Sequence, residues 1–168
     1  MKVAVVVLAF ALVMMFAALA PVFAKPAEKV AFSGIQIPNS PENQPPPGPY
    51  YRTWLTLGDT MHTRNGLGAG TIMLTVDGQD PMPGTTSSTI DINARIYAGG
   101  VIKFDMTWTF ENGEFVGNII GKVTSPVSFE DMHGVLQGSG DYEGWTVLLN
   151  GYVNAGPFMW SGTIVIPK

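Results

Sequence analysis

The chain has 168 residues, a formal net charge of −4, only 13% charged residues and no cysteine. That length suits one domain. The missing cysteines exclude a disulfide scaffold, a thiol nucleophile and a cysteine-ligated zinc site, and the sparse acidic charge leaves no basic footprint for nucleic acid.

From Val3 to Ala24 every residue is apolar or proline, preceded by Lys2. A short positive start, an apolar stretch and small residues at Val22 and Ala24 predict a secretory signal over residues 1–24, cut before Lys25. An uncleaved anchor is the alternative, because ~20 apolar residues span a bilayer. Either way residues 25–168 are expected outside the cytoplasm, with membrane contact only through residues 3–24. Hydrophobic residues make up 46% of the whole chain, and much of that excess sits in this leader.

Lys29 to Ile37 predicts a first strand. Pro38, Pro41, Pro45, Pro46, Pro47 and Pro49 follow within residues 38–49. Such a run continues neither a helix nor a central strand, so it predicts an extended, polyproline-like strap between two strands. No later segment keeps a helical period.

Asn65-Gly66 and Asn112-Gly113 are favoured pairs for two-residue hairpin turns. The first predicts a hairpin pairing Leu55 with Val76 and Met61 with Gly70. The second predicts Phe110 opposite Phe115, Trp108 opposite Gly117, Phe104 opposite Gly121 and Ile102 opposite Val123, all on one face. Thr89–Ala98 alternates apolar and polar residues, and a bulged three-residue loop at Ala98-Gly99-Gly100 predicts its pairing with Val101–Phe110. A turn at Ala155-Gly156 sets Gly151 opposite Trp160, Leu149 opposite Gly162 and Val147 opposite Ile164.

About nine short strands with one apolar face must close on themselves or stack on a second sheet. The fold class read from this pattern is all-β: a single small antiparallel β-barrel of about eight strands built from hairpins, with a β-sandwich as the alternative. Gly117, Gly121, Gly151 and Gly162 fall inside strands opposite large side chains, where bare backbone lets a ring cover a tightly curved sheet.

Within His133–Trp145, the spacing Gly138-x-Gly140-x-Tyr142-x-Gly144 resembles the glycine-spaced turn of allene oxide cyclase-like and dirigent-like β-barrels. The resemblance covers about a dozen residues and the antiparallel strand order. It implies a barrel that holds a small apolar ligand, cofactor-free and isomerase-like if it is an enzyme, and it assigns no catalytic residue.

The residues themselves place Asp59 inward in the Asn65-Gly66 hairpin, where desolvation would raise its pKa. A bulge at Gly58 would turn it to solvent instead. His62 and His133, the only histidines, lack the spacing of a metal motif, so no metal and no cofactor are expected. His133, leading into the glycine-rich turn near Glu130 and Asp131, is the better candidate of the two. The ligand-binding set is therefore Asp59, His133, Trp108, Trp160 and Tyr142. Trp108 and Trp160 face inward and serve equally well as core. Two functions stand side by side: a binding barrel for a small apolar ligand, and a cell-surface structural or interaction module with a filled core.

Overall fold

The computed structural model describes residues 26–56, 59–95, 98–125 and 128–168, and the predicted leader lies outside them. Nine strands follow one another: β1 (Glu28–Pro38), β2 (Arg52–Thr56), β3 (Thr60–Val76), β4 (Met82–Arg95), β5 (Gly99–Phe110), β6 (Gly113–Ser125), β7 (Ser128–Gly140), β8 (Thr146–Asn154) and β9 (Phe158–Ile166). Neighbours pair in the order β1-β9-β8-β7-β6-β5-β4-β3, and a β1–β3 pairing closes the circle. The fold is thus a closed antiparallel eight-stranded barrel, with β2 outside it. Closure removes the free edges that an open sheet with one apolar face would expose.

Along β5 the alternation is strict. Ile102, Phe104, Met106, Trp108 and Phe110 are buried, while Val101, Lys103, Asp105 and Thr109 are exposed. The inward rings pack on one another across the barrel. Trp160 stacks on Phe158 with centroids 5.7 Å apart and planes 8° from parallel. It also tilts against Trp108 at 6.0 Å, and Phe32 meets Trp108 edge-on. The Trp160 indole N–H donates to Gln36 Oε1 at 3.0 Å, which satisfies a donor that burial would otherwise penalise.

The C-terminal hairpin has the predicted register: Gly151 opposes Trp160, Leu149 opposes Gly162 and Val147 opposes Ile164. Ala155 takes the left-handed conformation its turn requires, at φ 50°. Gly117, Gly121, Gly151 and Gly162 all lie inside strands.

Three other turns differ from expectation. In β5–β6 the register slips by two residues, so Phe110 opposes Gly113, Trp108 opposes Phe115, Met106 opposes Gly117 and Ile102 opposes Gly121. Gly113 is itself a ladder residue opposite Gly140 of β7. A side chain there would collide with Ser139 O at 2.2 Å. The turn therefore falls on Glu111-Asn112, and Phe115 is drawn one step along to stack on Tyr142 at 4.9 Å.

Asn65-Gly66 is not a turn. It lies inside the 17-residue strand β3 as a bulge, where Arg64 and Asn65 together oppose Asp91. Asn65 has φ 53°, and its N–H is satisfied by Asp91 Oδ1 at 2.9 Å. Val76 and Leu74 accordingly face Phe32 and Gly34 of β1, while Leu55 faces Met61. The β4–β5 loop is also earlier than expected. The bulged loop would set Arg95 beside Lys103, whereas Arg95 opposes Gly99, which has φ 73°, and Asp91 lies opposite Lys103.

The proline-rich strap crosses from β1 to β2 along the edge of β3. β2 covers Thr60–Arg64 of that edge and β1 covers Gly70–Val76. In the gap between them Gln44 takes a strand's place. Its Nε2 donates to Ala69 O at 3.2 Å and its Oε1 accepts from Ala69 N–H at 2.8 Å.

Candidate functional site

The barrel has two ends. One is sealed by the glycine-spaced motif. Gly140 (φ 68°) and Gly144 (φ 82°) turn the chain sharply after β7, and Gly138 has no room for a Cβ because Tyr142 O would lie 2.2 Å away. Tyr142 is thereby laid over the opening, against Phe115, Phe110 and Trp145. Burial, reinforced by Asp141 and then Glu111, pushes its hydroxyl above the usual tyrosine value, so it stays protonated. Tyr142 is partly buried and packs against the core.

Trp108 and Trp160 are likewise core. Together with Phe104 and Met106, all at most 2% exposed, they occupy the middle of the barrel. A ligand cannot share that space without displacing rings that are packed on one another. Asp59 does not face the interior either. It is exposed in the β2–β3 turn at φ 57°, and Ile72, which the Asn65-Gly66 hairpin would set opposite it, opposes Gln36 and Gly84. The expected position depended on the Asn65-Gly66 turn, and it fell when that pair became a bulge.

The histidines lie on separate parts of the outer wall, His62 on β3 and His133 on β7. His62 stacks on Trp54 at 5.0 Å and shares hydrogen bonds with Thr56 Oγ1 and Asn93 Oδ1. His133 is exposed, and its Nδ1 lies 3.0 Å from Asp131 O. Of the five predicted site residues, the structure brings only His133 and Trp160 to one concavity, a groove on the outside of β7–β9.

The other end of the barrel is different. A recess of about 270 Å³ opens there, lined by Met61 of β3, Ala94 and Arg95 of β4, Gly99 of β5, and Val123, Thr124 and Ser125 of β6. Met61, Ala94 and Val123 supply aliphatic surface, and the bare backbone of Gly99 leaves the volume open. Arg95 is exposed at the rim and makes no ion pair among the described residues. Beside the recess Phe104, Phe129 and Phe158 pack their rings on one another inside the barrel, with Phe129 opposite Val123 in the β6–β7 ladder.

Reading for polar and aromatic handles missed these residues, although the alternation placed Ala94 and Val123 inward. The available signal was small and aliphatic inward residues converging at strand ends beside the Gly99-Gly100 pair. Comparison of the chain with protein-family models, curated proteins and solved structures finds no match.

Proposed function

We propose that this is an exported barrel protein that binds a small, mainly apolar ligand with an anionic end in the recess at the open end of the barrel. The observation that carries the reading is the recess itself. Its 270 Å³ of largely aliphatic lining carries one cation at the rim, Arg95, which makes no ion pair among the described residues. Pockets for drug-sized molecules occupy roughly 300–1,000 Å³, so the ligand is smaller than these. An apolar wall takes its hydrocarbon, while Arg95 offers a charge-assisted hydrogen bond to its polar end. The described lining holds no carboxylate or imidazole to serve as a general base, which favours binding over turnover. Export rests on the apolar leader over residues 3–24.

Calorimetric titration with octanoate, and in parallel with octanol, tests the reading. Octanoate should bind, and Ala94→Leu, which fills the recess, should abolish binding. Arg95→Gln should weaken octanoate by about tenfold, the loss of one charge-assisted contact, and leave octanol nearly unchanged. Failure of octanoate to bind, or an Ala94→Leu variant with unaltered affinity, would refute it.

A further inference from the structure

The groove on the outer wall is the work of a β-bulge. Glu130 and Asp131 of β7 together oppose the single residue Tyr152 of β8, and Asp131 holds φ 48° to do so. Bulges of this kind re-aim the side chains beside them. Two rows of outward residues converge on the result. His133 opposes Asn150, which opposes Ser161. In the next row Glu130 and Asp131 face Tyr152, which opposes Met159. Between the two rows, Gly151 and Trp160 contribute to the floor. The groove encloses about 690 Å³.

We propose that this groove binds an uncharged saccharide, stacking one sugar face on Tyr152 and engaging its hydroxyls through Asn150, Ser161, His133 and Glu130. The site is separate from the recess at the barrel's end.

Three features select that chemistry. The first is unspent hydrogen bonding. Among the described residues, the side chains of Glu130, Asn150, Tyr152 and Ser161 make no hydrogen bond within the protein, and His133 keeps its Nε2 free. Asn150 and Ser161 each donate and accept, Glu130 accepts, and the imidazole does either, a mixture that suits a ligand bearing many hydroxyls. The second is a platform. Tyr152 is 54% exposed, so its ring presents apolar surface beside those polar groups.

The third is charge. Asp131 is neutralised by Lys122, whose Nζ lies 2.5 Å from Asp131 Oδ2. Glu130, the groove's other acid, stands opposite Lys122 across the β6–β7 ladder and interacts with its charge, so a strongly ionic ligand finds no matching charge. The groove is preformed but open to water, so affinity for a short oligosaccharide is expected on the order of 1 mM.

The test is a titration of isotope-labelled protein, followed by amide chemical shifts, with maltohexaose, cellohexaose and chitohexaose in turn. At least one should give saturable shifts centred on residues 130–134, 150–152 and 161. Tyr152→Ala and Asn150→Ala should each weaken that binding at least about tenfold. Both positions are exposed, and an unchanged spectrum elsewhere verifies the fold. Trp54→Ala, which removes an exposed aromatic on a different part of the outer wall, should leave binding intact. Three outcomes overturn the proposal. One is no shift from any of the three sugars at 10-fold the expected constant. Another is binding that Trp54→Ala abolishes and Tyr152→Ala does not. The last is that the same amides respond to protein concentration alone and Tyr152→Ala removes the effect, which marks the face as a contact between copies of the chain.

Discussion

Replacing Gly151 with alanine places a methyl group against a wall that cannot move. The new Cβ would lie 2.3 Å from Trp160 Cε3, 2.5 Å from Cζ3 and 2.8 Å from Met159 O. A flexible side chain would swing aside, but Trp160 is held on every side. It is 2% exposed, stacked on Phe158, tilted on Trp108 and hydrogen-bonded to Gln36. Overpacking a filled core costs about 1–3 kcal/mol. A displaced indole also strains the Gln36 bond, worth about 1 kcal/mol. Against these stands a gain of roughly 0.5–1 kcal/mol from removing a glycine inside a strand.

The net loss is about 2 kcal/mol. With a urea dependence of about 2 kcal/mol per molar, the unfolding midpoint should fall by about 1 M with an unchanged slope. Tryptophan fluorescence reads the transition directly. Gly156→Ala is the matched control. Its Cβ would find no atom closer than 3.7 Å and its φ is not left-handed, so a change within about 0.5 kcal/mol is expected. A Gly151→Ala protein as stable as the control would show that the ring is free to yield, and the account of glycines shaping this barrel would be wrong.

Two further expectations follow from individual contacts. Gln44→Ala removes the amide that pairs both ways with Ala69 on the open stretch of the β3 edge. It should lower stability by about 1–2 kcal/mol in urea melts and speed amide exchange at Ala69. The exposed Lys122–Asp131 pair acts in a defined pH window. The ammonium of Lys122 holds Asp131 below its ordinary value, and Asp131 holds Lys122 above its own. Asp131's contribution is therefore present above about pH 4 and lost as pH falls through its lowered folded value, whereas Lys122's is present below about pH 10 and lost as pH rises through its raised one. Lys122→Gln should flatten both ends of the stability–pH curve relative to the parent, and 1 M salt should shrink the difference.

Alternation along single strands was legible because the side-chain period of two is local. Phe104, Met106 and Trp108 were assigned inward from their own strand, and they are buried. The Ala155-Gly156 hairpin was legible for a related reason. Its few loop residues leave little freedom in closure, and the Gly151–Trp160 and Leu149–Gly162 matches reinforce one register. The slip in β5–β6 was not legible, since moving by two residues returns every side chain to the same face. The pattern that identifies the face is blind to that shift. Asn65-Gly66 was ambiguous in another way. A residue that tolerates positive φ serves a turn and a bulge equally, and the choice was made by Asp91 on β4, which satisfies the Asn65 N–H.

The sites followed the same division. Asp59 was placed by a turn that did not form, and its neighbours changed with it. The recess joins Met61, Ala94, Gly99 and Val123 from four strands, and the outer groove depends on a bulge that no turn residue announces. The sequence by itself determined the class of structure, the inward and outward faces and the need for small residues beneath large rings. These depend on the two-residue period and on side-chain volume. Only the tertiary structure decided the registers, the β1–β3 closure and the position of each concavity, because those are set by contacts between strands far apart in the chain, where equally well-alternating alternatives differ only in how the rings pack.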